Sequence, residues 1–595
     1  MINQKSIAVL PLDNLSSDPE NEYFSDGMTE EIINALSKID GLKVTARTSS
    51  FVFKNVKKNV RHIGNELGVA LVLEGSVRKA GNRVRITTQL IRTDNGFQIW
   101  SESFDRKLED IFALQDEISL LVAERIRENY GHLELSEHLV TPKTNSVEAY
   151  DTFLKGKYFL KRWNLEDIQK GALLYEKSAK LDPSFGLPLY GAGLCYSLLG
   201  SWGAMDKEHA FKRAEGFFLQ GNKIDDPKSV YSYHCLATHE FWGLWDYRAA
   251  NISIREALKI DPDEPDVNEC LAEVQTSIGD FPSALNSIDK SLQNNPLSPN
   301  HFYTKANIFY QQRQYELAQK YLDKSLNLDS DFALSIQLKL ACFINQNNLE
   351  GLNQLVDSCP QLDYPEQYIM LFHLINGGVD VPEVDVRILI DKLEAIQPRP
   401  LMAFDLFLLV QIEPAEGLEL LKSKVKQKMG QVINFKHERF LDPIRSHPNY
   451  EELVRMCFPE KQLGKQEVNH SPSERSLMSS EEVDHFSQKL KNLMFNEHLY
   501  LDTSLTLRNM AETLNLHPNK LSWLLNEKLQ KNFNDFINTY RLEAFQKKAL
   551  EPKNSHLTLL GLAFESGFTS KSVFNDFFRK TTGLTPKQWV KTQQK

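Results

Sequence analysis

The stretch Leu505-Thr506-Leu507-Arg508-Asn509-Met510-Ala511-Glu512-Thr513-Leu514-Asn515-Leu516-His517-Pro518 decides how the C-terminal end of this chain folds. Leu507, Met510, Ala511 and Leu514 recur at helical spacing before a short polar turn. A second helix then starts at Pro518, whose missing N–H costs nothing in a first turn, and Leu521, Leu524 and Leu525 give it an inner face. Asn519, Lys520, Ser522, Trp523 and Asn526 are left on the other face. The same grammar returns in Leu557-Thr558-Leu559-Leu560-Gly561-Leu562-Ala563-Phe564-Glu565, followed by a Ser566-Gly567-Phe568 turn in which Gly567 supplies a positive φ. A helix from Ser570 to about Lys580 follows, with Ser570 as N-cap and Phe574, Phe577 and Phe578 inward; Lys571, Ser572, Asn575, Asp576 and Arg579 point out. Between the two units Phe533 to Ala549 reads as one amphipathic helix, stopped before Pro552, whose length of about 26 Å suits a rigid spacer. Successive major-groove faces of B-DNA lie ~34 Å apart, so two helices on such a rod can enter both from one side.

This tandem arrangement resembles the AraC/XylS family of bacterial transcription regulators over residues 485 to 595, including the closing Thr582-Gly583-Leu584-Thr585-Pro586. The resemblance implies that Asn519, Ser522 and Trp523 in the first recognition helix, and Lys571, Ser572, Asn575 and Asp576 in the second, face bases. Asn suits adenine, Asp accepts from cytosine and Lys donates to guanine, whereas Lys520 and Arg579 suit phosphate. Taken singly, each also reads as a solvated surface residue. One departure is that Gln530 stands where the family carries the glycine of a left-handed cap.

At 595 residues the chain exceeds what one core usually organises, about 250 to 300 residues, so several domains are expected. Its 41% hydrophobic and 25% charged content is that of globular protein. The net charge of −10 is unevenly spread: residues 485 to 595 carry sixteen Lys and Arg against nine Asp and Glu, so only this end has the electrostatics for phosphate contact. The six cysteines, at 195, 235, 270, 342, 359 and 457, show no CxxC spacing and read as buried or incidental thiols. No apolar run reaches the ~18 to 20 residues of a membrane span, and Ile7-Ala8-Val9-Leu10-Pro11 is too short for a signal peptide. A cytoplasmic protein with no membrane partner is expected.

Residues 1 to 131 read as a mixed α/β domain. A strand over Ser6 to Leu12 and a helix over Tyr23 to Ile39 precede strands at Leu42 to Ala46, Leu71 to Arg78, Val84 to Arg92 and Gln98 to Phe104. Ala80-Gly81-Asn82 makes a hairpin turn, and Glu109 to about Asn129 is the closing helix. The segments Ile7 to Asn14, Tyr23 to Ile32 and Leu73-Glu74-Gly75-Ser76-Val77-Arg78 resemble the TolB-N-terminal-like domain found ahead of tetratricopeptide arrays. The resemblance names no ligand. Asp13, Asp18, Glu20, Asp26, Glu30 and Glu31 read as a solvated loop and helix start in preference to a cation site.

From 140 to 456 the chain repeats. Ala250, Ala284 and Ala318 are thirty-four residues apart, as are Ala257, Ser291 and Ser325, and Pro262, Pro296 and Ser330. This is tetratricopeptide spacing, with Ala272 and Ala306 small in the preceding helices and Ile254, Ile288 and Leu322 filling between. Irregular units are expected at Gly171 to Ser178 and in the segment ending at Asp226-Pro227, in a solenoid of about six to eight repeats. The aromatics Tyr231, Tyr233, Phe241, Trp242, Trp245 and Tyr247 read as core, and His234 and His239 as structural. Residues 457 to 482, polar and Ser/Lys-rich, read as a linker to the DNA-binding domain of residues 483 to 595.

No phosphate loop, HExxH helix, kinase signature or GxSxG elbow occurs, so no enzyme and no cofactor is expected. The N-terminal and repeat parts resemble those fused elsewhere to nucleotide cyclases; here the output position carries the DNA-binding domain. The fold class is thus multidomain and mainly α: an α/β domain, an all-α solenoid and an all-α double helix-turn-helix domain. The function expected is a sequence-specific transcription regulator acting on double-stranded DNA. Its solenoid is expected to take a protein partner or to self-associate, and its N-terminal domain to accommodate an unidentified small-molecule effector. The alternative is a cytoplasmic interaction scaffold with secondary DNA binding.

Overall fold

The computed structural model describes residues 3–56, 58–161, 165–225, 228–395, 402–458, 477–554 and 556–593. In the N-terminal part β1 (Ser6–Val9), β2 (Asp13–Asn14), β3 (Lys43–Val44), β4 (Leu71–Ala80), β5 (Arg83–Arg92) and β6 (Gln98–Lys107) make one mixed sheet in the order β3-β1-β4-β5-β6. Strand β1 is parallel to both β3 and β4, β2 also runs parallel to β4, and β4-β5-β6 form an antiparallel meander. Gly81, at φ 57°, turns the first hairpin as expected. Val84, Ile86, Thr88 and Leu90 are buried while Arg83 and Arg85 are exposed, the alternation of a sheet covered on one face. Helices α1 (Glu22–Ser37) and α4 (Ile111–Tyr130) cover that face. Two short helices, α2 (Arg47–Phe51) and α3 (Val60–Leu67), lie between β3 and β4 where sequence patterning gives no periodic signal.

The N-terminal domain and the start of the solenoid share one core. Ile7, Phe24, Met28 and Ile118 belong to the same apolar cluster as Tyr150, Phe153, Tyr175 and Tyr190 of the first repeats. Polar contacts reinforce the junction: Tyr23 Oη donates to Asp151 at 2.7 Å, and Lys79 reaches the same carboxylate at 2.7 Å. Glu30, which burial alone would protonate, is kept ionised by Lys157, Lys161 and Arg47. Of the acids read as solvated, Asp26 and Glu30 are instead held in ion pairs, Asp26 buried against Lys54 at 2.6 Å, and Glu31 meets Lys157 at 3.3 Å.

Helix pairs run from Val147–Leu160 and Leu165–Leu181 to Phe404–Ile412 and Pro414–Lys426, eight in all among the described residues. Ala250, Ala284, Ala318, Ile254, Ile288, Leu322, Ala272 and Ala306 are fully buried, as close crossing requires. Ser291 and Ser325, thirty-four apart, donate to Pro265 O and Pro299 O, each at 2.9 Å, stitching each second helix to the start of its partner. Trp245, Gly279, Arg313 and Asn347, also thirty-four apart, all sit at positive φ, from 54° to 92°, in the turn between the helices of a pair. The Asp226-Pro227 segment end lies outside the described residues. Phe241, Trp245 and Tyr247 are core, and His239 is buried with Nδ1 2.6 Å from Ser197 Oγ. Five of the six cysteines are buried, Cys457 is half-buried, and all are free thiols.

Residues 459–476, the bulk of the expected linker, lie outside the described residues. Its first residue ends the helix Pro448–Cys457, and its last ones open the helix Ser480–Phe495, where Ser479 and Glu482 form a reciprocal capping box. Helical residues therefore stand at both of its ends.

Candidate nucleic-acid interface

The C-terminal domain is two small cores threaded on one rod. Helix Phe533–Leu550, 18 residues long, gives Phe533, Phe536 and Ile537 to a core with Leu507, Met510, Ala511, Leu521, Leu524 and Leu525. Further along it gives Leu542 and Phe545 to a second core with Leu562, Ala563, Phe574 and Phe578. Phe545 is packed against Phe574 and Phe578 at centroid distances of 4.7 and 5.6 Å in edge-on geometry. The two cores are locked to each other at Gly567. Its φ is 96°, and a β-carbon there would lie 2.6 Å from Tyr500 O, a carbonyl that also accepts from Arg541 Nε at 2.7 Å. Only glycine fits both demands.

Each unit has a short leading helix and a second helix behind a turn: Leu507–Thr513 then Pro518–Trp523, and Leu559–Phe564 then Lys571–Thr582. Thr506, Thr558 and Ser570 each accept from the N–H three residues on, capping three of these four helices. After Trp523 the first of the second helices widens into a π turn over Leu524–Lys528, and Gln530, two residues beyond it, sits at φ 53°. The left-handed cap is therefore kept without its glycine.

The second recognition helix is open. Lys571, Ser572, Asp576 and Arg579 are exposed and Asn575 is half-buried, so the expected reading surface is open to solvent, with Asp576 in electrostatic reach of Arg92 on β5. The first is closed, which corrects the outward placement of Ser522 and Trp523: both are buried, Ser522 completely and Trp523 to 8% exposure. Trp523 is a core residue of its own domain, whereas Ser522 is covered by the N-terminal domain. Asn519 Oδ1 accepts from Arg127 Nη1 at 2.8 Å and from Leu135 N at 3.2 Å, and Asn519 Nδ2 donates to Leu135 O at 3.0 Å. Two turns along the same helix face, Asn526 lies against Gly131, where an added β-carbon would come within 3.2 Å of its Oδ1. Ser522 falls between these two points, and its Oγ has no hydrogen-bond partner among the described residues. Trp523 packs into its own domain's core and takes Lys528 Nζ over its ring at 5.0 Å. Lys520, expected on phosphate, pairs with Glu482 at 3.0 Å.

Three further contacts close the same seam. Glu124 accepts from Arg508 Nε and Nη2 at 3.0 and 2.5 Å, Glu128 Oε1 accepts from Leu507 N at 3.0 Å, and Asn534 Nδ2 donates to Asn129 Oδ1 at 2.9 Å. Glutamates and an arginine of the same helix end thus meet an arginine, a backbone N–H and an asparagine of the C-terminal domain. Arg127 itself is 2% exposed; burial lowers its pKa, opposed by Glu124 and Glu128. Sequence reading missed Arg127, Glu124, Glu128 and Leu135. The available signal was a charged residue beside the apolar stripe Ile118, Val122 and Ile126 of α4, which points to a polar partner without naming it.

Residues 510–592 match the family described as a helix-turn-helix domain, and residues 3–121 match the second domain of HilA/YgeH-like transcriptional regulators. The C-terminal end is therefore a helix-turn-helix domain preceded by a regulator-type α/β domain and a repeat array. Both matched models are of helix-turn-helix or transcription-regulator domains, and they lie at the two ends of the chain. A putative adenylate cyclase 3 of Rhizobium meliloti (strain 1021) is 42% identical over 178 residues, and the match spans 30% of each chain. Among solved structures, the type IV pilus biogenesis factor PilW aligns with a TM-score of 0.31 at 16% identity over 37% of this chain and 98% of its own. Yeast Tom70 aligns with a TM-score of 0.28 at 14% identity over 56% and 72%. Among the described residues no helix is long and apolar enough to cross a membrane.

Proposed function

We propose that this chain is a cytoplasmic, sequence-specific DNA-binding regulator held in a closed state in which its first recognition helix is masked by its own N-terminal domain. The observation that carries the reading is the asymmetry between two equivalent helices on one rod: Lys571 to Arg579 open, Asn519 to Asn526 covered. Asn519, Ser522, Lys571, Ser572, Asn575 and Asp576 are assigned to bases, and Lys520 and Arg579 to phosphates; Trp523, a core residue of its own domain, is left out. Binding both grooves then requires breaking the seam at Arg127, Glu124 and Glu128. The cost is modest: reducing apparent affinity a hundredfold takes a closed state favoured by only ~2.7 kcal/mol, within reach of a handful of hydrogen bonds at ~0.5 to 1.5 kcal/mol each.

The N-terminal domain shares its core with the first repeats, so a protein partner on the array, or an effector on the sheet, acts on one continuous body that ends in the masking helix α4. Such a ligand shifts the equilibrium by as much as it prefers one state. No enzymatic output is assigned. The test is random-library DNA selection with the full chain at one stated salt concentration. An enriched motif supports the reading, with one block dominant for the masked wild type and two blocks about one helical turn apart for Glu124→Gln. Salt-sensitive binding without a motif moves the assignment to an interaction scaffold.

A further inference from the structure

A second group of chemistry-bearing side chains lies where two repeats meet, far in sequence from the DNA-binding residues. Asp266 and Glu269 are one turn apart on helix Pro265–Ile278, and His301 is in the first turn of helix Pro299–Gln311. His301 Nε2 stands 3.5 Å from Asp266 Oδ1 and 3.3 Å from Glu269 Oε2, and one ligand atom from each of the three lies within 4.8 Å of the others.

The surroundings orient these atoms. Ser291 Oγ gives its proton to Pro265 O and therefore accepts from His301 Nδ1, at 2.9 Å, which fixes the ring with Nε2 toward the carboxylates. Glu269 Oε1 is occupied by Asn300 Nδ2 and Thr304 Oγ1, each at 2.7 Å, which leaves Oε2 for the site. His301 and Glu269 are buried and the Asp266 side chain is 51% exposed, so the group is rigid on one side and open on the other. Outer hydrogen bonds of this kind, on both the imidazole and a carboxylate, are what metal ligands carry.

The plainer account is an imidazolium held between two carboxylates. Two observations favour an ion. The nitrogen–oxygen gaps exceed the ~2.7 to 2.9 Å of a charge-assisted hydrogen bond and match the edge of about 3.3 Å expected between ligands bonded at about 2.0 Å around a tetrahedral centre. Nor does the repeat require a histidine there: the position thirty-four residues on is Ser335, whose Oγ meets Ser325 Oγ at 2.7 Å, and thirty-four back is Val267.

We propose that Asp266, Glu269 and His301 form a binding site for one divalent transition-metal ion of the zinc class, with the fourth position taken by water. The ion would clip two adjacent repeats together. The experiment uses the full chain, stripped with chelator, desalted and titrated with Zn²⁺ while bound metal and melting temperature are followed. One equivalent should bind and raise the melting temperature, and Asp266→Asn and Glu269→Gln should each weaken uptake at least tenfold. Ser291→Ala, which leaves every ligand in place, should weaken it about tenfold through the loosened ring. Asp266 is exposed enough that its variant does not threaten the fold. No stoichiometric uptake by the stripped wild type, or uptake unchanged in Asp266→Asn and Glu269→Gln, overturns the site.

Discussion

Arg127 Nη1 donates to Asn519 Oδ1 at 2.8 Å across 392 residues of sequence, joining the closing helix of the N-terminal domain to the first base-facing position of the DNA-binding domain. An asparagine committed to an arginine and to the backbone of Leu135 cannot read adenine at the same time. Masking and reading compete for one side chain.

Weakening the seam should therefore strengthen DNA binding by the full chain. Glu124→Gln removes the charge facing Arg508 without touching any recognition helix. With charge-assisted contacts worth ~1.5 to 3 kcal/mol, it should raise affinity by about tenfold or more, measured by fluorescence anisotropy at fixed salt. Unchanged or lower affinity contradicts the masked state.

The open helix should separate reading from phosphate contact. Asn575→Ala should cost ~1 to 3 kcal/mol on the selected site and little on random DNA, because a base contact carries sequence information. Arg579→Ala should weaken both about equally and reduce the slope of log affinity against log salt by about 1. Both residues lie off the phenylalanine core, so melting temperatures should not move.

Acid should destabilise the chain through its buried histidines. Burial lowers the pKa of His239 to about 4, from an ordinary value of 6.5 in the unfolded chain. Between those values the unfolded state binds more protons, so stability is full above pH 6.5, falls as pH drops toward 4 and then levels off. The shift corresponds to at most roughly 3 kcal/mol. His239→Gln, which can still meet Ser197 Oγ, should flatten the melting temperature between pH 6.5 and 4.5 relative to wild type, after its own offset at pH 7.5 is subtracted.

Gln530 occupies φ 53° at the end of the first recognition helix. Left-handed backbone costs a non-glycine residue ~1 to 2 kcal/mol, so Gln530→Gly should slow amide exchange in Leu507 to Leu525 by several-fold in the full chain. Faster exchange would show that the glutamine side chain, which donates to Glu527 O at 2.9 Å, is worth more than the strain.

What was legible in the sequence was whatever repeats or alternates. Ala250, Ala284 and Ala318 announced the array, and Val84, Ile86 and Leu90 the sheet, because burial imposes period on residue type. The equally regular left-handed turns at Trp245, Gly279, Arg313 and Asn347 were not visible, since only one of the four is glycine and the others are held by the packing around them. The two recognition helices were placed to within a residue or two. The burial of Ser522 was not, because it depends on Arg127, Gly131 and Leu135, whose approach no local pattern records. Short helices such as α2, five residues long, carry too few positions to show any period.

The most direct test of the closed state is a nuclease footprint of the full chain on its selected site, wild type beside Glu124→Gln. The masked first helix and free second helix should give the wild type, at low occupancy, protection of one major-groove block only, and the variant protection of two blocks about one helical turn apart. Protection of both blocks by the wild type with the variant's affinity would contradict the account: the seam between Arg127 and Asn519 would then place no restraint on DNA reading.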